Sequence, residues 1–71
     1  MYKESVGERL KTARIKHSLK QEEVAQELNI SRTVLSRYEN GKLEPNLETL
    51  AKLIDLYEVS ANWILGTGIN K

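Results

Sequence analysis

The sequence contains no cysteine and only one histidine and one proline. The absence of cysteine excludes a disulfide framework and a zinc site of the thiolate type. His17 has no second histidine and no carboxylate cluster beside it in the sequence, so we expect no metal and no cofactor. A Gly-rich phosphate loop and a Ser/His/Asp arrangement are also missing from the sequence, and we therefore predict that the protein is not an enzyme.

Long apolar runs are absent as well. No run approaches the roughly 18 residues that a membrane span requires. The first residues, 1–4, lack the apolar segment of a signal peptide. These absences predict a soluble cytoplasmic protein that has no membrane partner and no evident small-molecule ligand.

The chain has 71 residues, which is the size of one small domain. Such a domain buries only about 60% of its unfolded surface, so dimerisation would add stability. The net charge is +1, but residues 1–20 carry six Lys or Arg and two Glu, whereas residues 21–30 carry three Glu and no basic residue. This asymmetry fits a surface that faces a polyanion, and charge alone does not distinguish it from an ordinary solvated helix face.

Apolar residues recur at helical spacing along the whole chain, and alternation with period two is short wherever it occurs. This pattern predicts an all-α fold, a compact domain of five helices. The expected domain covers residues 1–66, and residues 67–71 are expected to form a flexible tail. The predicted helices cover residues 5–16, 21–28, 31–40, 47–57 and 61–65.

Polar residues near the expected helix ends support these boundaries. Ser5 and Glu8 form a capping-box pattern at the start of the first helix. Gly7, in the first turn, costs about 1 kcal/mol relative to Ala, and the sequence gives no physical reason for it. Asn29 and the pair Asn40-Gly41 are stop signals for the second and third helices. The fourth helix is expected to bury a wide apolar stripe, which comprises Leu47, Leu50, Ala51, Leu53, Ile54 and Tyr57.

The second and third helices have the spacing of a helix-turn-helix. Ala25 supplies the small side chain that a second helix crossing at about 90–120° requires. Asn29 follows four residues later, where the chain must reverse, and Leu35 follows six residues after Asn29, where it can join the two helices. An ordinary helical hairpin could contain any one of these residues, and the three together indicate the motif.

The outward face of the third helix is polar and carries two arginines. Once the inward positions are set aside, it contains Ser31, Arg32, Thr33, Ser36, Arg37 and Asn40. Arginine can form two hydrogen bonds with guanine in the major groove, and Ser or Thr can meet several base edges. Arg32 and Arg37 point about 140° apart around the helix, so they would contact different base steps or a base and a phosphate. A plain solvated helix surface is the alternative interpretation.

Several motifs resemble one family of proteins. In chain order they are Gln21-Glu22-Glu23-Val24-Ala25, Asn29-Ile30-Ser31-Arg32, Ser36-Arg37-Tyr38-Glu39-Asn40-Gly41-Lys42, Pro45 and Leu50-Ala51-Lys52-Leu53. Over about residues 5–65 the chain resembles the Cro/repressor-type helix-turn-helix regulators of bacteria and phages. That resemblance implies a five-helix domain that binds double-stranded operator DNA, commonly as a homodimer, and it makes a repressor that binds a palindromic operator the expected function.

The resemblance also implies roles for individual residues. The implied base contacts are Arg32, Thr33, Ser36 and Arg37. The implied phosphate contacts are Gln21, Ser31, Asn40 and Lys42, and Gln21 is also expected to brace the third helix. Arg14 and Glu39 are expected to form a partly buried bridge between the first and third helices. Asn29 departs from the Gly that the family often has there, but Asn can adopt the same backbone conformation.

Two further points concern partners. Asn62 and Trp63 lie on a short terminal helix and are candidate dimer contacts, although an aromatic residue is more often part of a core. A protein-binding module of the same fold, such as an antitoxin or an adaptor, is the alternative function, because fold does not fix function. The outward face of the third helix has no large apolar anchor, which disfavours that alternative.

Overall fold

The computed structural model describes residues 2–66, with side chains from residue 6 onward. Within this part of the chain the secondary structure is helical, which confirms the all-α, five-helix prediction. The predicted tail over residues 67–71 lies outside the described residues. No helix in the described part is both long and apolar enough to cross a membrane. The helices are α1 (Tyr2–Lys16), α2 (Gln21–Leu28), α3 (Arg32–Glu39), α4 (Leu47–Tyr57) and α5 (Ala61–Leu65).

The start of α1 differs from the prediction. The helix begins at Tyr2, so the prediction that Ser5 is its N-cap is wrong. Lys3 and Glu4 are good helix formers, and a turn that precedes Ser5 can therefore continue the helix through it. Local capping preference is a small term that such a continuation overrides.

The starts of α3, α4 and α5 are capped by polar side chains. The Ser31 hydroxyl accepts a hydrogen bond from the backbone N–H of Val34 at 3.1 Å, and Ser60 caps α5 in the same way at 3.0 Å. At the start of α4, Asn46 Oδ1 accepts from the backbone N–H of Thr49 at 2.8 Å. These bonds satisfy N–H groups that have no partner inside their helix.

The helix ends use left-handed residues. Asn29 follows α2 with φ 60°, as its sequence position predicted. Gly66 ends α5 with φ 70°, and Gly41, after α3, has φ 73°. Glu58 ends α4 with φ 55°, although a side chain makes this conformation unfavourable.

One core joins all five helices. Its buried apolar residues are Leu10, Ala13, Val24, Ala25, Leu28, Leu35, Tyr38, Leu53, Tyr57 and Ile64. Leu47 is 83% exposed, and Ala51 is exposed as well. The prediction that these two residues belong to the buried stripe of α4 is wrong. They lie one turn apart on a side of α4 that faces away from Leu53 and Tyr57, because each residue rotates the helix by about 100°.

His17 makes a structural contact. Its Nε2 atom lies 2.6 Å from the backbone oxygen of Tyr57, so it joins the end of α1 to the end of α4. Among the described residues, no group of three or more His, Cys, Asp or Glu side chains is arranged to hold a metal ion.

Candidate nucleic-acid interface

The helix pair α2–α3 is built around a tight turn. The left-handed conformation of Asn29 reverses the chain, and the backbone N–H of Ile30 donates to Ala25 O at 2.9 Å. Ala25 and Leu35 are both buried. The three residues whose spacing predicted a helix-turn-helix therefore occupy the crossing, the turn and the joint between the helices.

The outward face of α3 is polar and open to solvent. Arg32, Thr33 and Arg37 are exposed, and Ser36 is half-buried. Arg32 Nη1 donates to Gln21 Oε1 at 3.5 Å, at the limit of a hydrogen bond. Asn40 Nδ2 donates to Ser36 Oγ at 3.3 Å, one turn earlier. This contact occupies an acceptor site of Ser36 and leaves its hydroxyl proton free to donate.

A buried ion pair supports α3 from behind. Arg14 Nε donates to Glu39 Oε2 at 2.7 Å, and Arg14 Nη2 donates to Glu39 Oε1 at 3.2 Å. Arg14 also donates to the backbone oxygen of Leu19 at 2.8 Å. Glu39 is only 5% exposed. The two-point contact fixes the direction of both side chains as well as their distance.

Gln21 extends this ion pair to α2. Its Nε2 donates to Glu39 Oε1 at 3.0 Å, while its Oε1 faces Arg32. The four side chains form a continuous path, in the order Arg14, Glu39, Gln21 and Arg32. α1, α2 and α3 are thus connected by polar contacts directly behind the exposed face of α3.

The electrostatics of this region favour a polyanion. Within residues 31–42 the sequence has one acidic residue, Glu39, and three basic ones. The hydrogen bond that Arg14 donates to Glu39 raises the pKa of Arg14 above its usual range, so Arg14 keeps its charge and neutralises the carboxylate. Because Glu39 is buried and paired, the exposed charges at α3 are those of Arg32, Arg37 and Lys42.

The remaining candidate residues lie around α3 and on α5. Gln21 is half-buried at the start of α2, and Ser31 and Lys42 are exposed at either end of α3. Asn62 is exposed on α5. Trp63 is 41% exposed, and the Arg9 guanidinium lies 6.0 Å from the centre of its ring.

Sequence reasoning missed two contacts of this region. The resemblance implied that Gln21 would brace α3, but not that it would bind Glu39, 18 positions away. The Ser36–Asn40 contact joins two residues that were both predicted to contact DNA. The spacing of Ser36 and Asn40, four residues on one helix, could have indicated the second contact. No local pattern indicates the first, because it depends on how α2 and α3 cross.

The comparison with known families agrees with this geometry. The family model described as Helix-turn-helix matches residues 10–64, which include all of α2, α3 and α4. The chain belongs to the helix-turn-helix family. The match and the relatives below confirm the resemblance to Cro/repressor-type regulators that the sequence motifs indicated.

Individual relatives come from bacteria and a phage. This helix-turn-helix chain is similar to the HTH-type transcriptional regulator ImmR of Bacillus subtilis, at 47% identity over 87% of the chain and 49% of ImmR. It is 38% identical to the ImmF control region 10 kDa protein of Bacillus phage phi105, over 90% of the chain and 71% of that protein. It is 36% identical to the HTH-type transcriptional activator BcrR of Enterococcus faecalis, over 83% of the chain and 29% of BcrR. The chain spans about half the length of the Bacillus subtilis relatives that it matches.

Proposed function

We propose that this protein is a sequence-specific DNA-binding transcriptional regulator that inserts α3 into the major groove of a palindromic operator. The observation that carries the proposal is the exposed polar face of α3, held from behind by the buried Arg14–Glu39 pair. An α-helix with its side chains is about 10–12 Å in diameter, and the major groove of B-DNA is about 12 Å wide, so α3 can enter it. Such a regulator acts in the cytoplasm, where bacterial or phage DNA lies.

Four side chains of α3 would contact base edges. Arg32, at the start of α3, is the best candidate for two hydrogen bonds with O6 and N7 of a guanine. Thr33 can place its methyl group against a thymine methyl. Ser36 offers a hydroxyl proton, because its oxygen already accepts from Asn40, and so it favours an acceptor on the base. Arg37 lies farther along the helix and would contact a flanking base or a phosphate.

Residues around α3 would contact the phosphates and set the register. Gln21 and Ser31 stand at the starts of α2 and α3, where the helix dipole favours an anion. Lys42 contributes a positive charge after α3, and Asn40 would contribute its backbone. Gln21 would then have two functions, since it also holds Glu39 and faces Arg32.

Repression is the proposed direction of control. It rests on the resemblance to Cro/repressor-type regulators, whereas BcrR, by its name, is an activator. A reporter gene placed behind the operator would distinguish the two. We expect expression to fall when the protein is produced, and a rise in expression would show an activator.

The binding proposal is tested by selection from a library of random duplexes at about 100 mM salt. We expect one motif with inverted symmetry to be enriched. Binding of the selected duplex by Arg32→Ala and Lys42→Ala is then compared with binding of a random duplex. Arg32→Ala should weaken binding to the selected duplex by about 1–3 kcal/mol and change binding to the random duplex little. Lys42→Ala should weaken binding to both duplexes alike and reduce the slope of affinity against salt concentration by about one.

Two results would contradict the proposal. Recovery of no enriched motif would favour the alternative of a protein-binding module. Equal losses for Arg32→Ala on the selected and the random duplex would show that Arg32 contacts phosphates and not bases.

A further inference from the structure

Gly7 lies where α1 touches the C-terminal end of α3. It is buried, and a Cβ atom placed on it would stand 2.5 Å from the backbone oxygen of Tyr38 and 2.8 Å from that of Glu39. A carbon atom at 2.5 Å must move by about 0.9 Å to reach 3.4 Å, where ordinary contact begins. The obstructing atoms belong to the backbone and cannot rotate away as the end of a side chain can. An added methyl group therefore requires one helix to move relative to the other.

This contact explains a residue that is unfavourable in a helix. Glycine costs about 1 kcal/mol relative to alanine inside a helix, and α1 accepts that cost at Gly7. Arg14 lies seven residues later, two turns along the same face of α1, and binds the Glu39 side chain. α1 thus contacts the end of α3 at two points, through the bare backbone at Gly7 and through the ion pair at Arg14.

We infer that Gly7 is a positioning residue for DNA recognition: its missing side chain lets α1 seat α3 at the depth and angle that its base-contacting side chains require. The inference rests on the function proposed above. Hydrogen bonds to bases tolerate errors of only about 0.5 Å, whereas attraction to phosphates tolerates more. A displaced α3 would therefore lose sequence preference before it loses general affinity for DNA.

The test is Gly7→Ala, with Thr12→Ala at an exposed position of α1 as the matched control. Both proteins are measured on the duplex selected by the unaltered protein and on a random duplex. We expect Gly7→Ala to weaken binding to the selected duplex by about tenfold or more. Binding to the random duplex and the salt dependence of binding should be nearly unchanged. Thr12→Ala should bind both duplexes normally. A Gly7→Ala protein with the normal ratio of the two affinities would overturn the inference.

A second measurement needs no DNA and separates this inference from the proposed function. ¹H–¹⁵N spectra should show that Gly7→Ala shifts amides of residues 36–42, and shifts confined to α1 would also overturn the inference. If the unaltered protein selects no motif, the proposed function fails and the spectra still test the seating of α3. Should Gly7→Ala be unfolded at 25 °C, it is repeated with Glu58→Gly, which relieves an unfavourable φ at the end of α4. A double variant that is still unfolded would show that Gly7 is needed for folding and not for positioning.

Discussion

At the residue scale, Glu39 decides whether α3 can face a polyanion. A free carboxylate at that position would repel phosphates, but Glu39 accepts hydrogen bonds from Arg14 and Gln21 and is almost fully buried. The same contacts place Gln21 beside Arg32. One buried acid therefore contributes to the stability of the fold, to the charge of the exposed face and to the position of a side chain that we propose contacts a base.

Glu39→Gln should lower the free energy of unfolding by about 2–3 kcal/mol, because it leaves the partly buried Arg14 without a counter-charge. Urea denaturation measures this change. The control is Glu48→Gln, which removes the exposed pair with Lys52 at 3.8 Å and should change stability by less than about 1 kcal/mol. Equal effects of the two substitutions would show that the buried pair contributes no more to the free energy of unfolding than the exposed pair does.

The buried hydroxyl of Tyr57 should make the protein less stable as the pH rises above 10. This hydroxyl has no hydrogen-bond partner among the described residues, and burial raises its pKa above the usual value of about 10. Above pH 10 the unfolded chain loses this proton while the folded protein holds it, so stability decreases as the pH rises further. Tyr57→Phe should remove that part of the decrease, seen in urea titrations at pH 8 and pH 11. A decrease in the variant as steep as in the unaltered protein, or steeper, would contradict the assignment.

At the element scale, local signals predicted the helices well and their packing less well. Asn29, Ser31 and Ser60 lie at helix ends as predicted, because capping depends on nearby backbone groups. Leu47 was expected to be buried and is exposed, since an apolar residue in a helix does not specify which neighbour covers it. Gly7 had no explanation in the sequence, because the atoms that require it belong to α3.

The candidate site divides in the same way. The outward face of α3 follows from its spacing, and the sequence therefore predicted Arg32 and its neighbours as candidates. The Arg14–Glu39 pair joins residues 25 positions apart and was expected only through the family resemblance. The resemblance implied that Gln21 would brace α3, but its partner Glu39 was not predicted, because no pattern within either helix contains the pair.

The end of α4 provides a prediction about an element boundary. Glu58 has φ 55°, a conformation that costs a residue with a side chain about 1–2 kcal/mol. Glycine avoids this cost, but it loses more chain entropy on folding, which offsets part of the gain. Glu58→Gly should therefore raise the free energy of unfolding by about 0.5–1 kcal/mol. Ala51→Gly, at an exposed position inside α4, is the control and should lower stability by about 1 kcal/mol. A loss in both variants, measured by urea denaturation, would contradict the left-handed end of α4.

At the scale of the whole molecule, the described part of the chain measures 34 × 22 × 20 Å. One copy presents one short α3, whereas a palindromic operator offers two half-sites about 34 Å apart, or one turn of DNA. Two copies related by a twofold axis would place one α3 at each half-site, and the affinity for the full operator would then depend on contact between the copies. Exposed Trp63 on α5 is our candidate for that contact.

Trp63→Ala should weaken binding to a complete inverted repeat by about tenfold, because large aromatic residues often dominate interfaces. Binding to an isolated half-site should stay the same. Ile15→Ala, at an exposed apolar residue of α1, is the control and should leave both unchanged. Equal losses on the full site and on the half-site would place Trp63 outside the interface between copies.

Insertion of α3 into the major groove is tested most sharply by dimethyl sulfate interference on the selected duplex. The reagent methylates guanine N7 in the major groove and adenine N3 in the minor groove, so one experiment reports on both grooves. We predict that methylated guanines in each half-site block binding, that methylated adenines do not, and that Arg32→Ala loses the effect at one guanine per half-site. Interference limited to adenine N3, or none in either groove, would contradict insertion of α3 into the major groove.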